Sequence, residues 1–340
     1  MNRLERVQAA LACEPVDRPP YGFWTHLPGI DLDAARLAEE TAAFALRYDL
    51  DFVKSMPNGF YMAQAWGCPV DFGDIERGGV AKVTRAAVGA AADWSALPTI
   101  GLAQADLARE LHHLERLVAA LGPDRPVLAT VFSPLTTANK LSGGLSSAHA
   151  GSHPDELLAG LAILTEVTCA FARAAIERGC AGIFLACQDA VAGTMDETRY
   201  RLFGEPGDRA VLAAARAAGS RFDVLHAHGE DILFDLLAGY PVDALNWHIG
   251  ETPPSIADYL ARLGPARPRR AILGGLQRAH ITRRDRPRIE ADLARSLAES
   301  GGRGLLVAPA CVIRHPVDPD TLHWLAGRIA AGAGPAAALA

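Results

Sequence analysis

The feature that most constrains this chain is an alternation: short apolar runs, separated by longer amphipathic segments, from one end of the sequence to the other. Eight runs read as strands: "PPYGFW" (19–24), "DFVKSM" (51–56), "PVLATVF" (126–132), "GIFLAC" (182–187), "FDVLHAH" (222–228), "DALNWHI" (243–249), "AILGGL" (271–276) and "GLLVAP" (304–309). Strands of this length that alternate with helical segments cannot pair as hairpins. They need crossover helices and a parallel sheet. Helix signals fill the gaps. Ser152 with Asp155 opens a long segment that stops at Gly179, Thr194 with Glu197 forms a capping-box pattern, and Thr252-Pro253 opens a segment ending at Gly264. Eight such units predict a (β/α)8 TIM barrel of the α/β class, preceded by an N-terminal helical extension. No linker interrupts the pattern, so residues 1–340 read as a single domain. An open dinucleotide-binding sheet is disfavoured, because no G-x-G-x-x-G follows an early strand.

Half of the 340 residues are hydrophobic, enough for one large core. The net charge is −6 and no basic block occurs, so nucleic acid is not an expected partner. The opening "MNRLERVQAALACEP" lacks the apolar stretch of a secretory signal, and no uninterrupted apolar run is long enough to span a bilayer. The six scattered cysteines read as reduced thiols. A cytoplasmic enzyme acting on a small-molecule substrate, with no membrane partner, is the expectation.

In a parallel barrel, chemistry gathers at the C-terminal ends of the strands. The polar residues at these exits are Trp24 and His26, Lys54 with Asn58 and Tyr61, Gln188 with Asp189, His226 and His228, Trp247 and His248, and Cys311. Residues i and i+2 of a strand point to one face, so His226 and His228 converge on one point at the mouth. Three readings of that pair stand side by side: metal ligands, metal-free acid–base groups, or ordinary polar residues at the end of a strand. Trp24, His26, Lys54, Tyr61, Gln188 and His248 are expected to contact substrate. Glu230 is a candidate catalytic group, and Glu230 or Asp231 could orient a histidine from behind. His112 and His113 lie in a helical pattern and read as surface.

Several segments together carry a family resemblance: "RLERVQAALACEPVDRPPYGFW", "YDLDFVKSMPNGFYMAQAWG", "VFSPLTTANKLSG", "GIFLACQDA", "VLHAHGED" and "LLVAPACVIRHPVDPDTLHWL". They resemble the uroporphyrinogen decarboxylase superfamily over nearly the whole chain. The resemblance implies a (β/α)8 barrel and one of two chemistries. True uroporphyrinogen decarboxylases carry an arginine-rich segment after the first strand that pairs with substrate carboxylates. Here that place reads "GFWTHLPGID", with no arginine, so a porphyrinogen substrate is not expected. The other branch holds zinc-dependent methyltransferases that move a methyl group between a corrinoid and a thiol, with an H-x-C motif and a later Cys as ligands. The matching positions here are His226, His228 and Cys311, histidine replacing the middle cysteine, with His315 a reserve ligand. The resemblance thus implies a metal, zinc by preference, that activates a thiol. No D-x-H-x-x-G segment for cobalamin occurs, so a corrinoid would arrive on a separate corrinoid protein or as a free cofactor. A homodimer is in keeping with the family. The alternatives are a metal-free decarboxylase or lyase acting on a small carboxylate, and a corrinoid- or tetrapyrrole-binding protein without turnover.

Overall fold

The computed structural model describes residues 1–75, 81–264 and 268–332; the last eight residues of the expected 1–340 domain lie outside the described residues. Its centre is a seven-stranded, all-parallel sheet. In order across the sheet the strands are β1 (Val53–Lys54), β2 (Val127–Phe132), β3 (Gly182–Cys187), β4 (Val224–Ala227), β5 (Ala244–Trp247), β6 (Ala271–Leu276) and β7 (Leu305–Pro309). Chain order equals spatial order, as repeated βα units require. A two-stranded antiparallel ribbon, Val70–Asp71 with Lys82–Val83, stands apart.

The eighth expected strand is not a regular one. The run 19–24 makes one isolated bridge, Tyr21 with Val307, and Thr25 just beyond it makes another with Ile313. Pro19 and Pro20 have no N–H to give to a ladder. The segment nevertheless bonds to both edge strands of the sheet. Gly22 N–H donates to Val307 O, Val307 N–H to Pro20 O, and Asp51 N–H, just before β1, to Tyr21 O. The result is a TIM-barrel-like α/β fold with seven formal strands. Asp51 locks the joint: it is wholly buried and accepts from Arg6, Arg18 and the Tyr21 N–H.

Side-chain alternation sorts each strand into two environments. One parity packs outward against the helices. The other points into the sheet's concave interior, where Phe52, Leu128, Phe184, Phe222, Val224, Ala244, Leu273 and Leu306 form a closed apolar layer. The N-terminal helix, Arg3–Leu11, seats Val7 and Ala10 against that layer. Crowding there leaves no room for a side chain at Gly182, whose added Cβ would lie 1.9 Å from the Phe222 carbonyl oxygen.

The helices start later than the capping signals suggested. The long helix is Pro154–Glu177 with His153 as N-cap; Ser152 instead donates back to Ala148 O. Asp196 rather than Thr194 caps Glu197–Phe203, and Ser255 rather than Thr252 caps Ile256–Ala261. By length and composition Pro154–Glu177 could cross a membrane, contrary to the expectation that no segment could. Here half of its most apolar stretch is buried, with Leu157, Leu161, Leu164 and Phe171 in the core. His113 also departs from its reading: it is buried on the inner face of Ala105–Leu121, while His112 is exposed.

Candidate metal centre and substrate cavity

The interior parity of β4 runs Phe222, Val224, His226, His228. The first two residues fill the apolar layer, and the next two rise above it to the mouth. The parallel register pairs His226 with Asn246 on β5 and carries His248 to the level of His228. Cys311 arrives two residues beyond β7. One ligand atom each from His226, His228, His248 and Cys311 all lie within 4.8 Å of one another. The imidazole centroids are 5.6 Å (His226–His228), 5.8 Å (His226–His248) and 4.8 Å (His228–His248) apart. His248, expected at the substrate, therefore belongs with the three expected ligands.

The donors suit a metal. Zinc bonds of about 2.0–2.3 Å set tetrahedral donor spacings of about 3.3–3.8 Å, within reach of this cluster by small side-chain movements. The buried Nδ1 of His226 and Nε2 of His248 have no hydrogen-bond partner. Buried polar atoms are rarely left so, and a bound cation would satisfy them. Burial, followed by the neighbouring histidines, holds the His226 pKa well below its ordinary value. Burial and Arg278 bring His228 down to about 4; burial and His228 bring His248 to about 3. All three rings are thus neutral at pH 7, the form that ligates. Burial raises the Cys311 thiol, opposed by Arg278 and Lys54. Phe184 stacks on His226 at 5.2 Å and fixes its plane. Glu251 Oε2 stands 3.8 Å from His248 Nδ1.

Above the cluster opens a cavity of about 380 Å³. Of the expected substrate contacts, Trp24, His26, Lys54 and Gln188 line it. Tyr61 does not: it is fully buried, packs on Phe132 and Phe171, and donates its hydroxyl to Thr130 O. Its neighbour Phe60 lines the cavity instead. Trp247 is likewise a core residue, its indole N–H bonded to Pro254 O. Asn58 is buried and bonded to Gln64. Asp189 is buried and bonded to Asn139. Glu230 and Asp231 are exposed on the turn after β4, so the support expected from them falls to Phe184, Asn246 and Glu251. His315 lines the cavity outside the four-donor group.

Three cations at the cavity have no counterpart in the sequence expectations: Lys140, Arg278 and Arg314. They sit in "ANKLSG", "LQRAH" and "VIRHP", just beyond strand exits, where charge alone does not separate cavity from solvent. Lys140 donates to Gly59 O and lies 3.5 Å from the Phe132 ring centre. Burial lowers both Lys54 and Lys140 to about 7. His26 falls to about 4, through burial and then the charge of Lys54.

A family model described as uroporphyrinogen decarboxylase (URO-D) matches residues 2–331. This chain belongs to the uroporphyrinogen decarboxylase family. It is 30% identical to a uroporphyrinogen decarboxylase of Nocardia farcinica (strain IFM 10152) over 261 residues, 72% of this chain and 68% of the relative. Among solved structures it resembles a methyltransferase from Methanosarcina mazei, with a TM-score of 0.79 at 20% identity, covering 97% of this chain and 99% of the other. A putative vitamin-B12 independent methionine synthase from Listeria monocytogenes aligns with a TM-score of 0.53 at 13% identity, covering 93% and 97%. At these identities the structural likenesses speak for the fold.

Proposed function

We propose that this family member is a metal-dependent methyltransferase-like enzyme. In this reading His226, His228, Cys311 and His248 hold zinc, and the enzyme exchanges a methyl group between a thiol and a corrinoid or other carrier. The convergence of four ligand atoms within 4.8 Å, with His226, His228 and Cys311 lining the cavity, carries the reading. Bound zinc supplies one thing, a substrate thiol held as thiolate at neutral pH. The chain's own residues do the rest. Phe184 and Glu251 orient the histidine rings. Trp24, Phe60 and Phe132 form dry walls that limit water at the reacting sulfur. Lys54, Lys140, Arg278 and Arg314 hold the anionic part of the substrate. The corrinoid comes on a separate protein or free, and a cytoplasmic homodimer is part of the same proposal.

A metal-free decarboxylase or lyase on a small carboxylate is the second reading, favoured by those four cations. It asks His226 and His228 to move protons near pH 7. Burial holds His228 near 4 and His226 well below its ordinary value, poorly matched to that task. Metal analysis of purified protein separates the two. About one zinc per chain is expected, lost in His228→Ala and Cys311→Ala and weakened in His248→Ala. Protein without metal after reconstitution would sink the methyl-transfer reading and leave the acid–base one.

A further inference from the structure

His248 enters the donor cluster from a tight turn. The Glu251 and Thr252 N–H groups both donate to His248 O, at 2.8 and 2.9 Å, and Gly250 inside the turn has φ +84°. That conformation favours glycine. Space favours it too, because two long side chains stand against the turn. A Cβ at Gly250 would lie 2.9 Å from Gln277 Nε2 and 3.2 Å from Arg295 Nη2. The turn carries Glu251 as well as His248, so a shift of its backbone displaces the ring and the carboxylate beside it together.

One carboxylate holds both of those side chains. Asp292, on the helix Arg286–Ser300, is 1% exposed. Its Oδ1 accepts from Gln277 Nε2 (3.1 Å) and Arg295 Nη2 (2.7 Å). Its Oδ2 accepts from the Gln277 N–H (3.0 Å), at the exit of β6, and lies 2.8 Å from His280 Nδ1. The helix is docked by other means as well. Ile289 and Leu293 sit in the core, and Ser296 donates to Gly275 O on β6 at 2.9 Å. For docking alone, an apolar side chain at 292 would serve without the cost of burying a charge. What the carboxylate adds is a fixed orientation for Gln277 and Arg295, the two groups against the His248 turn. Such outer partners set the reach of a metal-binding histidine as much as the histidine itself does.

We propose that Asp292 is a positioning residue of the metal centre: through Gln277 and Arg295 it holds the 248–251 turn so that His248 reaches the other three donors. The inference rests on the proposed function for a metal at that cluster.

Zinc affinity, read by competition with a chromophoric chelator, tests this in wild type, Asp292→Asn, His248→Ala and the double variant. Asp292→Asn keeps the volume but turns an amide NH2 toward groups that are themselves donors. Its zinc affinity is expected to fall about tenfold or more. Without His248 the turn has no donor to place, so the same substitution in His248→Ala should change affinity by about twofold or less. Tyr61→Phe, weakened away from the cluster, should bind zinc as wild type does. If Asp292→Asn does not fold, Gln277→Ala takes its place in the same cycle, with a loss of about threefold or more expected. An affinity unchanged by the substitution, or lowered equally with and without His248, overturns the positioning role and leaves the metal reading standing. Wild-type protein that takes up no zinc overturns the metal reading and this role together.

Discussion

Asp208 offers a stability experiment away from the ligand cluster. It is wholly buried on the helix Glu205–Ala217 and has no cation partner among the described residues. Its Oδ2 accepts from Tyr200 (2.7 Å), Tyr240 (3.1 Å) and the Cys187 thiol (3.5 Å), and the Ser133 hydroxyl also favours the ionised carboxylate. Burial outweighs these donors and raises its pKa from 3.8 to about 6. A carboxyl raised in this way favours the fold when protonated. Its unfavourable contribution therefore appears as the pH climbs from the unfolded value toward 6 and is complete above it. At pH 8 the ionised form costs about 3 kcal/mol, and at pH 4.5 about 1 kcal/mol. Asp208→Asn keeps the shape and an acceptor for the tyrosines and carries no charge. Relative to wild type, the variant should therefore gain about 2 kcal/mol between pH 4.5 and pH 8, read from urea unfolding at the two pH values. A stability difference that does not change with pH, or that moves the other way, would refute the reasoning.

Tyr61→Phe removes one buried hydroxyl donor to Thr130 O. It should cost about 1–2 kcal/mol by denaturant unfolding and leave the thiol affinity of metal-loaded protein unchanged; a binding loss would return Tyr61 to the cavity. In Gly182→Ala the new methyl would meet the Phe222 carbonyl at 1.9 Å, so a loss above about 4 kcal/mol or no soluble protein is expected. Near-wild-type melting would show that β3 and the 222–223 backbone can separate.

The sequence by itself determined what depends on nearest neighbours along the chain. Fully buried parallel strands read as continuous apolar runs, so β2, β3 and β6 stand where those runs predict. The two-residue parity of β4 placed His226 and His228 together at the mouth. Parity failed where local chemistry overrode it: paired prolines kept the first run from becoming a regular strand, and Tyr61 turned inward at the start of a short helix. His113 was misread because adjacent histidines on a helix look alike until its packed face is known.

Only the tertiary structure decided the rest. His248 joins the donor cluster because β5 lies in register beside β4, and Cys311 joins it from the exit of β7. Lys140, Arg278 and Arg314 become a cavity lining only when three separate strand exits fold over one opening. Each of these placements joins residues far apart in the chain. Side-chain parity is a local property of the backbone, whereas strand register and loop placement depend on how the whole sheet packs and curves.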